Sequence, residues 1–296
     1  MTYYFISIPV AIVLGAAMGY LTKVLFAKFP EEWLQDYGVK ETDVNYRISK
    51  RMRLVPETIV AMAVSAAMYV AFVIFCKGVY FDVFRPLHIA VIVLMVPVLV
   101  LIMMADKLNR IIPDQFSVAL GLIGILSIVS DLVEGSIWFS SEAAWYYPLV
   151  SKIGAALIGG GFLFLIGFLA LTFTGREGMG QGDMRLLLAT GLITGIYGLI
   201  VLVYVAIGTA LIFAIPMLIR KHIRIREEEE LIRNSKNPQK LRRALEIKKA
   251  RMHFADDPDY LAFGPFIALG CGVFAVMEPF FLEQLMNYLS GLGVFF

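Results

Sequence analysis

Apolar residues fall in long blocks near 5–26, 58–75, 88–105, 115–133, 148–173, 184–196, 198–219 and 263–283. A helix needs roughly 20 residues to cross a hydrocarbon layer of about 30 Å, and most of these blocks reach that length. The block 184–196 is short, yet the apolar stretch continues past Tyr197-Gly198 to Ile219. The pattern predicts an all-α, polytopic integral membrane protein with about eight transmembrane helices. Block 5–26 follows Met1-Thr-Tyr-Tyr, which has no Lys or Arg, and the positive residues come after it. It reads as a retained anchor, not a cleaved signal.

Charge sharpens this picture. Of the 50 Lys, Arg, Asp and Glu residues, 32 lie in two stretches, 28–57 and 220–262. Assigning alternate loops to the two sides puts 23 Lys and Arg on one side and three, Lys77, Arg85 and Lys152, on the other. Cytoplasmic loops retain positive charge, so both termini are expected outside and the charged loops inside. Trp138, Trp145, Tyr146 and Tyr147 fall on the outer side as an interfacial aromatic group. The expected organisation is a first transmembrane helix over 1–27, a cytoplasmic loop over 28–57 and a transmembrane core over 58–219. A charged cytoplasmic insertion over 220–262 and a last helix with its tail over 263–296 complete it. The insertion reads as two solvated helices broken at Asn237-Pro238, with the basic one beside anionic membrane lipids.

Composition excludes several functions. The chain is 59% apolar and 17% charged, against roughly 25% charged in soluble domains. A net charge of +2 offers no field for nucleic acid. Cys76 and Cys271 are far apart and no CxxC occurs, which removes zinc ribbons and thiol redox motifs. No cofactor or metal is expected. Gly154, Gly159, Gly160, Gly161 and Gly167, with Gly191 and Gly195, suit close helix packing.

Ionisable groups at membrane depth are costly, so each is a functional candidate. Asp82, Arg85, His88, Asp131, Glu134, Glu142, Glu278 and Glu283 fall at outer ends of blocks, where hydration is expected. Two aspartates abut blocks on the opposite side: Asp106, and Asp183 in Gly178-Met-Gly180-Gln-Gly182-Asp183-Met-Arg185. Such alternate glycines let the main chain approach a ligand. Two carboxylates brought together cannot both ionise; one takes a proton from water while the other donates to a carbonyl oxygen, which suffices to cleave an amide. No GxSxG or HExxH competes, and His88, His222 and His253 are the only histidines. Taken alone, the two residues also fit helix-end caps or a two-carboxylate cation site.

Three ordered segments resemble the type 4 prepilin peptidases, membrane aspartyl proteases of the GxGD class. They are Asp106 with Ile112-Pro113-Asp114, Gly178 to Arg185, and Phe263-Gly264-Pro265-Phe266. The resemblance spans about 89–269. It implies that Asp106 and Asp183 form the catalytic pair. Gly178, Gly180, Gly182, Arg185, Pro113, Gly264 and Pro265 would support the loop or the substrate. It also implies prepilin or pseudopilin precursors as substrates, pilus or secretion machinery as further partners, and the bacterial cytoplasmic membrane as the location, with the active site facing the cytoplasm.

The departures are specific. Loop 28–57 lacks the family's two CxxC pairs, and Gly19-Tyr20-Leu21-Thr22-Lys23 does not reproduce its glycine-serine-phenylalanine-leucine-asparagine stretch. A methylating second activity is therefore not expected. Arg185 stands where the family usually has Lys, and is expected to place a positive charge near Asp183. Archaeal preflagellin peptidases and presenilin-like proteases share the chemistry, but Asp106 follows Ala105 where presenilins have Tyr. A transporter or assembly scaffold is the alternative outside enzymes, although its carboxylates would be expected at mid-membrane.

Overall fold

The computed structural model describes residues 2–35, 42, 46–139, 144–174, 180–235, 237–250, 258 and 261–291. The described residues form helices and connecting turns, with no strand among them. In chain order the helices are α1 (Thr2–Lys28), α2 (Ile59–Phe75), α3 (Pro86–Asn109), α4 (Asp114–Glu134), α5 (Tyr147–Thr174), α6 (Gln181–Asn234), α7 (Pro238–Ala250), α8 (Gly264–Val276) and α9 (Glu278–Gly291). Among the described residues, six segments are long and apolar enough to cross a membrane, or seven when α8 and α9, bent by 76°, count as one. The architecture is that of a polytopic helical membrane protein. The blocks expected as separate crossings at 184–196 and 198–219 join in the 54-residue α6, which is interrupted where Gly195 takes φ 66° and ψ −177°.

α3 is the central column, because its middle is apolar on every side: Met95, Val96, Leu99, Val100 and Ile102 are fully buried. Neighbouring helices supply its walls, chiefly α4 and α8, with α1 and α2 beyond. Peripheral helices instead turn apolar side chains outward, as Leu157, Phe162, Phe168 and Phe173 do on α5 and Ile200, Tyr204 and Ile207 on α6. That is the division expected when the surrounding medium is lipid. Past Ile219 the same α6 helix continues through Arg220 and the Glu227–Glu230 run to Asn234, and α7 follows.

Small residues set the helix spacing. A Cβ added to Gly191 would lie 2.7 Å from the Ala156 main chain, so α5 and α6 touch backbone to backbone there. Gly15 and Gly19 do the same for α1 against α2, at 2.4 Å from Ala66 and 2.5 Å from Met62. Of the other glycines singled out in the sequence, Gly159 and Gly160 abut leucine side chains, whereas Gly161 faces open space.

One sequence expectation is corrected. His88 and the side chains of Asp131 and Glu134 are buried against one another, with Lys152 beside Asp131, so the end of the bundle opposite Asp106 holds a buried, mutually paired polar cluster. Helix packing encloses these groups because their partners come from three helices, and a single apolar block does not reveal such pairing. Asp82 and Glu283 are exposed as expected, while Glu142 lies outside the described residues.

Gly191→Leu should force α5 off α6. Overpacking of this kind costs about 1–3 kcal/mol, and thermal unfolding of the purified protein in detergent should show a lowered midpoint.

Candidate active site

α3 ends just after Asp106. The Asp106 carbonyl accepts the N–H of Arg110 (2.9 Å), and Arg110 closes the helix in the left-handed conformation at φ 60°. The chain then turns through Ile112 and Pro113, and α4 begins at Asp114, with Pro113 at its N-cap. Asp183 lies in the first turn of α6, its N–H bonded to the Gly180 carbonyl (3.1 Å). A carboxylate in a first turn sits in the favourable field of the helix N-terminus.

Ile112 joins these helix ends. A Cβ on Gly182 would stand 3.0 Å from Ile112 Cβ, and one on Gly264 would stand 2.7 Å from Ile112 Cδ1 and 2.6 Å from Asp106 Oδ2. The C-terminus of α3 and the N-termini of α6 and α8 therefore meet around one side chain. Glycine at 264 is required by space, since any side chain would strike the carboxylate. The Gly264 main-chain N–H is directed at that carboxylate, and Asp183 and Arg110 lie within its electrostatic reach. Asp106 is 5% exposed, and its Oδ2 is buried with no hydrogen-bond partner among the described residues. A dry carboxyl oxygen without a donor is costly as an ion.

The other expected site residues divide. Gly180 lies 3.4 Å from Asp183 Oδ2, measured from an added Cβ, and Pro265 stands in the first turn of α8. Gly178 lies outside the described residues. Arg185, expected beside Asp183, directs its guanidinium to Asp114, and that ion pair ties the start of α6 to the start of α4. Its geometry follows from helix periodicity: two residues on from Asp183, Arg185 points to a different side of α6.

Sequence reasoning missed Asn109. One turn beyond Asp106, its Oδ1 accepts the Lys50 N–H (2.8 Å) and its Nδ2 donates to the Lys50 carbonyl (3.1 Å). This fastens segment 46–53 beneath the site. Arg51 strengthens the attachment through the carbonyls of Phe26 (3.0 Å) and Phe29 (2.9 Å) and the Glu31 carboxylate (2.8 Å). Ser49 binds the Leu34 carbonyl (2.9 Å). No local signal pairs positions 50 and 109, so the contact is invisible without the fold.

The site thus lies where the ends of three membrane helices meet, two of them carrying an aspartate. Residues 93–215 match the type IV leader peptidase family. Among curated proteins, the prepilin leader peptidase/N-methyltransferase of Xanthomonas campestris pv. campestris is 29% identical over 101 residues, 34% of this chain and 31% of that protein. The chain thus aligns with less than a third of that relative's length. No solved structure matches. The resemblance drawn from the motifs is shown by the family match, whose span holds Asp106, Pro113 and Asp183.

Glu31 gives the docked segment a pH dependence. Burial raises its pKa, but bonds from Ser49, Gln35 and Arg51 outweigh that and hold it below its ordinary value. A depressed carboxyl stabilises the docking above its unfolded pKa of about 4.3, and that stabilisation is lost as pH falls through the lower folded value. Protection factors at residues 46–51, measured hydrogen exchange corrected for its intrinsic pH dependence, should therefore be high at pH 5 and fall in more acid solution. In Glu31→Gln they should be low at both.

Proposed function

We propose that this protein is a membrane aspartyl endopeptidase that removes the basic leader from type IV prepilin-like precursors at the cytoplasmic face of the bacterial inner membrane. What supports this reading is that the helix ends bearing Asp106 and Asp183 come together around Ile112, within the segment similar to leader peptidases.

In this reading the two carboxyls share one proton. The ionised one draws a proton from water as the water attacks the scissile carbonyl carbon, and the protonated one donates to the carbonyl oxygen. Collapse of the tetrahedral intermediate breaks the C–N bond, with the new amine taking a proton from the pair. Both carboxyls stand at helix ends at one end of the bundle. A precursor with a polar leader and an apolar helix would present its junction at that depth, its helix in lipid and its leader in the cytoplasm. The narrow approach at Gly180 and Gly182 suits an extended peptide with a small residue at the junction.

Asp106→Asn and Asp183→Asn should each reduce leader removal from a co-expressed precursor by a hundredfold or more, about the loss expected when a general acid or base is removed. Asp114→Asn should retain much of the activity, because its ion pair with Arg185 is partly exposed and worth about 1 kcal/mol or less. Full processing by Asp106→Asn or Asp183→Asn would overturn the assignment.

The relative's name also includes an N-methyltransferase. Loop 28–57 has no cysteine for the zinc-bound fold its family resemblance would require. The mature product is therefore expected to carry an unmodified N-terminal amine. Mass spectrometry of a precursor processed by this protein alone checks it, and an added 14 Da, the mass of one methylene, would refute it.

A further inference from the structure

The break in α6 divides it into a short arm, 181–194, that carries Asp183, and a long helix, 196–234. Gly195 permits the break because its φ of 66° lies where other residues are strained. A break inside an apolar bundle leaves backbone groups without ladder partners, and in lipid these must be satisfied by protein. Two serines do this. The Ile196 N–H donates to Ser151 Oγ (3.2 Å), and Ser127 Oγ donates to the Ile193 carbonyl (3.4 Å).

Lys152 governs the second serine. Its ammonium donates to Ser127 Oγ (2.6 Å), to the Ser127 carbonyl (2.8 Å) and to Asp131 Oδ2 (2.7 Å), which uses all three of its protons. Asp131 Oδ1 is in turn 3.0 Å from His88 Nε2, and His88 Nδ1 is 2.7 Å from Glu134. The break therefore rests on a continuous chain from α3 through α4 and α5 to α6, and a small cavity lined by Asp131, Ser151, Lys152 and Gly195 adjoins it. A buried lysine at the outer end of a bundle whose chemistry lies at the other end has no role in the proposed cleavage itself.

Geometry links the two ends. From Gly195 to Asp183 the arm is about 18 Å long, at 1.5 Å per residue. A tilt of roughly 3° at the break would displace Asp183 by about 1 Å, and a displacement of that size costs about a hundredfold in rate when groups must be aligned. We propose that Lys152 and Ser151 are positioning residues. By fixing the break in α6 they hold the arm so that Asp183 stands opposite Asp106. The inference rests on the protease reading for its consequence, but the placement of the arm can be tested without it.

The reporter is a disulfide between Ile112→Cys and Gly182→Cys, whose Cβ atoms would lie 3.0 Å apart, slightly inside the roughly 3.5–4.5 Å of a natural bridge. Cys76 and Cys271, both buried, are first replaced by alanine in the full chain. Oxidation should then cross-link the parent rapidly. Adding Lys152→Met should slow cross-linking about tenfold, Ser151→Ala about threefold, and Ser151→Thr, which keeps the hydroxyl, hardly at all. In the protein with Ile112 and Gly182 intact, Lys152→Met should lower kcat for leader removal about tenfold or more with KM within twofold. Equal cross-linking rates in parent, Lys152→Met and Ser151→Ala would overturn the proposal. Should Lys152→Met fail to fold, the Ser151→Ala and Ser151→Thr pair decides alone. Slowed cross-linking in a protein that cleaves no precursor would uphold the arm's placement and sink the protease reading instead.

Discussion

The approach of the Gly264 main chain to the Asp106 carboxylate is the contact on which the rest of the site's geometry depends. With 2.6 Å between an added Cβ and Oδ2, the N-terminus of α8 must lie directly against the C-terminus of α3. That contact requires the two helices to run closely packed, and small residues along α8 allow it. Gly272 meets Leu99 of α3 and Met68 of α2, and Gly270 meets the Leu202 carbonyl of α6. Once α8 is seated, Ile112 is trapped between Gly264 and Gly182, and the first turn of α6 is drawn to the same point. The meeting of these helix ends is thus a product of backbone contacts several turns away as much as of the residues around it.

A second constraint is dielectric. Between its ends α3 is almost wholly apolar, and the ionisable groups gather at the two ends of the column. At one end Asp106 keeps a buried oxygen without a donor among the described residues. At the other end, polar groups are linked to one another: Glu134 accepts the N–H groups of Leu87 (2.7 Å) and His88 (3.1 Å), capping α3, while Trp138 donates to Glu278 (2.6 Å). The contrast is physically instructive. A network whose members satisfy each other rigidifies a fold, whereas a buried carboxyl left short of partners is held in place by its surroundings and remains able to engage a ligand.

The loop ahead of α2 adds a third element. Its segment 46–53 has no core of its own, and is ordered by the side chains of Asn109, Gln35 and Glu31, which bind its backbone, and by its own Arg51, which reaches Glu31 and the carbonyls of Phe26 and Phe29. A loop without cysteines is here attached through hydrogen bonds to the same helix end that carries Asp106. Its position beneath the site is a matter of tertiary contact.

Long apolar blocks, their polar ends and the glycine spacing around Asp183 were legible without coordinates, because the cost of exposing a polar backbone to lipid acts on each segment separately. The helical membrane class and the two aspartates at block edges follow from that local rule. The rule does not reach contacts between segments. It separated 184–196 from 198–219 close to the break at Gly195 without showing how the two pieces are arranged. It placed His88 and Asp131 in water where they bury each other. Nor does it reach the Arg185 guanidinium, which the family pattern set beside Asp183 and which turns to Asp114. Composition along one chain thus determined which stretches are helical and apolar. Only packing decided which helix ends meet, since that depends on side-chain volumes and hydrogen-bond partners dozens of residues apart.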